Sequence, residues 1–256
     1  MTHQITTIAR YTLLEAIRTR LPHLVAAVVV LLGATSLFVH AIAVTESTRM
    51  QVGIYASSMR LASVFIASLY VLASVTREFN DKGLDIALAL DLPRSHYILG
   101  KLAGFLVVGI CLAAAASLPL AILVSPEAAL QWGLSLALEL GIVIALSLFC
   151  TVTFRQLIAA ASFVMAFYLL ARTLTAIRLM GAHPLTGADS PGQHVIQLLA
   201  EGMALVMPAL DTWTQTAWLV NHQANWLDIG ALCGQGIVYI AFLAAAAMFD
   251  FYRKNF

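Results

Sequence analysis

Residues 77–101 read REFNDKGLDIALALDLPRSHYILGK. Eight of the chain's 27 Asp, Glu, Lys and Arg residues fall in this one stretch. Long apolar segments flank it on both sides, yet its own interior is amphipathic. Placed in a helix, Leu84, Ala87, Leu88 and Asp91 share one face, and Asp81 and Asp85 lie one turn apart on another. Gly83 and Pro93 bracket the element as boundaries. The spacing predicts a short helix over about 83–92, apolar on one side and acidic on the other. After the proline, SHYILGKLAG restarts a helix that runs into the next apolar segment.

The rest of the chain explains why charge gathers there. Its 256 residues are 61% hydrophobic and 11% charged, with a mean hydropathy of +0.89. Soluble domains carry roughly 25% charged residues, so too little polar surface is present here to cover a globule in water. The composition defines an all-α integral membrane protein, with a single transmembrane domain over 1–256. A net charge of +1 and three lysines, Lys82, Lys101 and Lys254, provide no basic tract for a nucleic acid. Cys111, Cys150 and Cys233 all fall inside apolar segments and read as packing residues. The first twenty or so residues are amphipathic and lack the compact apolar run of a cleavable signal.

A bilayer core of about 30 Å takes about 20 apolar residues in a helix. Six segments qualify: 24–44, 54–76, 102–124 with Pro119 as a kink, 132–154, 157–177 and 229–249. Arg155 and Gln156 alone separate the fourth from the fifth, which demands a tight turn there. With the N-terminus cytoplasmic, ten Lys and Arg residues flank the spans on that side and two, Arg49 and Arg178, on the other. The positive-inside rule then puts both termini and the 77–101 loop inside. Ahead of the first span, 4–20 reads as an interfacial helix, with Ile5, Ile8, Ala9, Thr12, Leu13, Ala16 and Ile17 on one side. The long outer loop, 178–228, predicts two short outer-leaflet re-entrant helices, about 193–207 and 210–221, with Trp213, Trp218 and Trp226 in the headgroup layer.

The pattern Arg-Glu, Gly-Leu-x-x-x-Leu-x-Leu, x-Leu-Pro-Arg and Tyr-x-x-Gly-Lys resembles the cytoplasmic loop of ABC-2 type transporter permeases. Glu78, Gly83, Leu84, Leu88, Pro93, Gly100 and Lys101 carry the resemblance. Leu84 stands where such proteins often have Thr, and Ser95-His96 where they often have Ser-Arg. The resemblance implies that the loop joins the second and third spans and forms a coupling helix resting on an ATP-binding subunit, with Glu78, Asp81, Gly83, Leu84, Asp85, Leu88, Asp91, Pro93 and Arg94 as its coupling residues. It further implies two copies of that subunit, a second permease copy (identical or homologous), a bacterial inner membrane, and export of a lipid, glycan, drug, peptide or haem-related molecule.

Catalytic machinery is not recognisable in the sequence. No P-loop, H-E-x-x-H, C-x-x-C or G-x-S-x-G occurs. The chain is therefore expected not to be an enzyme by itself: ATP and Mg would be bound by the partner, leaving no cofactor or metal in this chain. His183, His194, Asp189 and Asp211 in the outer loop would make a membrane enzyme only if they converged in space. The competing non-transport reading is a mechanical transmitter, relaying ATPase motion through the outer loop to a periplasmic or membrane partner.

Four Arg, Glu and His residues, His40, Arg60, Glu139 and Arg172, lie inside spans, where ionisable groups mark function by default. At 1.5 Å per residue, Arg172 and His40 lie about 22 and 24 Å from the inner face. Glu139 and Arg60 lie about 10 and 9 Å below the outer face. All four share one depth, and Glu139 is expected to pair with Arg60 or Arg172, as an outer gate or a static structural pair. Gly100-x-x-x-Gly104 and Gly230-x-x-x-Gly234 permit close helix approach.

Overall fold

The computed structural model describes residues 2–81, 93–154, 156–182, 198, 201–203, 207–221 and 225–253. Every regular element among them is helical. Helix α1 covers Thr2–Arg18, α2 Leu21–Ile42, α3 Ser47–Asn80, α4 Arg94–Ser117, α5 Leu120–Leu123, α6 Pro126–Phe154, α7 Leu157–Ala182, α8 Thr216–Asn221 and α9 Trp226–Arg253. A 3₁₀ turn occupies Leu210–Thr212. Six helices are long and apolar enough to cross a membrane: α2, α3, α4 continued through α5, α6, α7 and α9. The chain is a multi-pass membrane protein.

The expected span boundaries shift where the helical period outruns the apolar run. Helix α3 has 34 residues, about 51 Å at 1.5 Å each, against the 54–76 expected. It starts earlier because Gln51, Val52, Tyr55, Ala56 and Met59 continue one buried stripe. At its other end Arg77–Asn80 stay helical and Asp81 caps the helix. Pro93, with φ −58° and ψ 133°, precedes the first turn of α4, so 94–101 are helical as well. Both ends of the 77–101 stretch are therefore helical. The short helix expected over 83–92, with Gly83, Leu84, Asp85, Leu88 and Asp91, lies outside the described residues, as do most of 193–207 and all of 183–197. Pro119 interrupts the third span between α4 and α5, as a missing N–H requires.

Helix α6 is the axis of the bundle. Its apolar residues are spread all round, and α3, α4, α7 and α9 pack about it, as expected of a helix without a polar face. Its core contacts include Trp132, Leu136, Leu140, Ile144 and Leu148. Helix α2 stands at the periphery, with Val30, Leu31, Leu37, Phe38 and Ile42 exposed.

Helix α1, expected as an interfacial helix, packs against the bundle. It is seated on α4, with Thr12 and Ala16 buried while Tyr11 and Ile17 face outward. Gly100 and Gly104 form the seat. A Cβ on Gly100 would come within 2.7 Å of Ile8 Cβ, and one on Gly104 within 2.6 Å of Thr12 Cβ. Among the described residues a Cβ on Gly230 or Gly234 would meet nothing within 4 Å, so identical spacing has two different outcomes.

Candidate functional site: two polar clusters in the bundle

Buried charge occurs at two levels. On α3 they are marked by Arg60 and Glu78, 18 residues or about 27 Å apart along the axis.

The first cluster surrounds Glu139, whose side chain is 0% exposed. Helical spacing puts Ser135 one turn before Glu139 on α6, and Tyr168 one turn before Arg172 on α7. Tyr168 donates its hydroxyl to Glu139 Oε1 at 2.9 Å. Arg172 Nη1 lies 3.6 Å from the same oxygen. Thr214 Oγ1 donates to Glu139 Oε2 at 2.6 Å, and Thr214 N–H donates to Ser135 Oγ at 2.9 Å. The two guanidiniums then turn to backbone. Arg172 Nη1 donates to the carbonyls of Leu210 and, at 3.0 Å, Trp213. Arg60 Nη1 donates to Thr214 O at 2.9 Å. His40 stands apart, exposed on α2.

These bonds explain why 210–221 is not the single helix expected. A continuous helix would close Thr214 N–H onto Leu210 O. Here that N–H goes to Ser135, and Leu210 O accepts from Trp213 N and Arg172. The chain breaks at Thr214, which has φ 48°. A β-branched residue with positive φ is an outlier that persists only where its surroundings over-determine it. Here Ser135, Glu139 and Arg60 hold its N–H, hydroxyl and carbonyl. Trp213 follows the break inward: it is fully buried, and its ring meets the space over Gly236 on α9. Trp218 is also buried. Neither ring is on the outer surface of the bundle. Trp226 is half-exposed and donates Nε1 to Glu127 Oε1 at 2.9 Å.

Thr214→Val keeps the shape and removes the hydroxyl. We expect a stability loss of about 1–3 kcal/mol, the cost of a buried carboxylate oxygen left without its donor, read as a lower unfolding midpoint in detergent. An unchanged midpoint would mean that the hydroxyl contributes nothing.

The second cluster closes the α1 end. Lys101 on α4 is 7% exposed, and its Nζ lies 2.7 Å from Glu78 Oε2 on α3. Glu15 on α1 reaches the same Nζ at 3.9 Å and accepts from Ser74 Oγ at 3.0 Å. Three helices thus meet at one ammonium. A cleft of about 460 Å³ opens beside it, lined in part by Glu15, Arg77, Glu78, Asp81, Tyr97 and Lys101. Arg94 ties in a fourth helix. Its Nη1 donates to Phe251 O at 3.3 Å and Tyr252 O at 3.4 Å, carbonyls in the last turn of α9 that have no partner within the helix. Tyr97 stacks on Phe251 with ring centroids 6.0 Å apart.

Of the expected coupling residues, Glu78 joins this cluster, Asp81 caps α3 at the cleft, Pro93 opens α4 and Arg94 reaches α9. Sequence reading missed Tyr168, Thr214 and Ser135 in the first cluster, and Glu15 and Ser74 in the second. Among the described residues no group of three or more His, Cys, Asp or Glu side chains could hold a metal ion. Asp211 lies in the 3₁₀ turn, while His183, Asp189 and His194 lie outside the described residues. No protein-family model matches the chain, and a search of curated proteins finds no match.

Proposed function

We propose that the chain is the membrane-spanning permease subunit of an ABC transporter of the ABC-2 type, moving a hydrophobic or amphipathic substrate outward with ATP hydrolysed by a separate subunit. The observation that carries this reading is the lysine-centred junction at the α1 end. Glu78 and Lys101, at the two ends of the loop that resembles a coupling loop, are an ion pair at 2.7 Å. Force applied to 81–93 would meet α3 and α4 already joined, with α1 attached through Glu15 and α9 through Arg94. Such a base would move as one rigid body, one of the forms that a two-state transition takes. In this reading two copies of the chain pair in a bacterial inner membrane, both termini inside, with two ATPase subunits beneath them.

A second reading, the mechanical transmitter, draws on the other cluster. Arg60 and Arg172 bond α3 and α7 directly to the backbone of 210–214. A tilt of those helices would therefore move the outer segment, whether or not a substrate passes.

Co-purification decides the shared part of both readings. The intact chain should retain a P-loop ATPase encoded in a neighbouring reading frame, and a deletion of 83–92 should lose it while keeping its own unfolding midpoint. Equal recovery of the ATPase with the deletion contradicts the assignment.

A further inference from the structure

A second cleft lies beside the lysine-centred junction, on the other side of Arg77. It runs between α2 and α3 and has a volume of about 360 Å³, at the small end of ligand clefts, which span roughly 300–1,000 Å³. Its chemistry is divided. Arg20, just before α2, and Arg77, near the end of α3, both line it and both are exposed. Thr19 and Tyr70 add hydroxyl-bearing side chains. Leu21, Leu24, Phe65, Ile66 and Leu69 form an apolar wall, with Ala73 and Ser74 beside it. One carboxylate, Glu15, also lines it, but that group already has Lys101 and Ser74 as partners.

Position along the helices sorts these groups by depth. On α3, Phe65 is 12 residues from Arg77, about 18 Å. On the neighbouring α2, Leu24 is four residues beyond Arg20, about 6 Å. The cationic groups therefore lie at the helix ends and the apolar wall extends into the span. A headgroup above a hydrocarbon chain has the same order. Guanidiniums suit phosphate because their planar donors match its oxygens. Helix α2 is largely exposed, and among the described residues only α1, α2, α3 and the 19–20 link line the cleft.

We propose that this cleft is a site for an anionic phospholipid of the leaflet at the α1 end, its phosphate held between Arg20 and Arg77 and one acyl chain laid along Leu24, Phe65, Ile66 and Leu69. A lipid there would brace α2 against α3 next to the Lys101 junction, so occupancy stabilises the base of the bundle. This inference needs only the membrane-embedded fold, and it stands or falls independently of the transporter reading.

The test uses the full chain, delipidated in a neutral detergent, titrated with phosphatidylglycerol and followed by native mass spectrometry and the unfolding midpoint. Phosphatidylglycerol should bind and raise the midpoint, as any ligand selective for the folded state does. Phosphatidylcholine with the same chains, and inorganic phosphate alone, should do neither. Arg20→Gln and Arg77→Gln should each weaken binding about fivefold, the equivalent of about 1 kcal/mol per basic residue at an anionic surface. Arg10→Gln, on the exposed side of α1 and outside the cleft, should leave binding unchanged. Ile66→Trp should block it with both arginines present. The proposal is overturned if phosphatidylcholine binds as well, if inorganic phosphate gives the same shift, if Ile66→Trp binds normally, or if Arg10→Gln weakens binding as much as the cleft variants do.

Discussion

Replacing Glu139 with leucine is expected to destabilise the bundle by about 3–5 kcal/mol, the cost of removing one partner from a buried ion pair. The carboxylate is fully buried while Arg172 is 18% exposed, so the variant leaves partly buried guanidiniums with no countercharge. It also strips Thr214 of its 2.6 Å acceptor, and with it one of the bonds that hold the left-handed backbone at that residue. At roughly 2–4 °C per kcal/mol for a chain of this size, the unfolding midpoint should fall by about 10 °C. Glu139→Gln, which keeps an acceptor oxygen, should fall between leucine and wild type. Charge exchange separates the two arginines. Glu139→Arg combined with Arg172→Glu should recover part of the loss, because those side chains face each other at 3.6 Å. The same substitution combined with Arg60→Glu should recover less, because Arg60 Nη1 is bonded to Thr214 O. If neither exchange rescues Glu139→Arg, the pair has no part in stability or gating.

Gly104→Val should detach α1. A Cβ at 104 falls 2.6 Å from Thr12 Cβ and 2.9 Å from the Ala9 carbonyl oxygen. Neither atom is the end of a flexible side chain, so relief requires α1 to move as a unit. Overpacking of this kind typically costs 1–3 kcal/mol, and lifting α1 would also separate Glu15 from Lys101 and Ser74. Hydrogen exchange should therefore accelerate through α1 amides while those of α6 stay protected. Gly234→Val has open space around it and should leave both helices as they are in the isolated chain. Unchanged α1 exchange in Gly104→Val would contradict the seating of this helix on α4.

Much of the architecture was legible because apolar run length is a direct measure of a span. The centres of all six helices fall where 20-residue apolar runs place them. Their ends do not, since α3 and α4 take in Arg77–Asn80 and Arg94–Lys101, stretches too polar to extend an apolar run. Depth was legible as well: rise arithmetic put Arg60, Glu139 and Arg172 at one level, and the structure brings those three together. The same arithmetic put His40 at that depth, but its side chain is exposed on α2, because rise fixes height and not which face a residue takes. Ser135 and Tyr168 could have been found as i−4 neighbours of Glu139 and Arg172. Thr214 could not, because its break is made by donors and acceptors from α3, α6 and α7. The GxxxG pairs show the same limit: spacing permits close approach, and only tertiary structure says that α1 fills one seat while the other is open.

The transporter proposal requires the loop between α3 and α4 to receive force from a separate ATPase. A photo-crosslinking residue at Asp81, the cap of α3, tests it most directly in membranes that contain the candidate ATPase. An adduct with that ATPase is expected, its yield changing between nucleotide-free and ATP-bound conditions. No adduct in any nucleotide condition, with the ATPase present and the bundle intact, would contradict it.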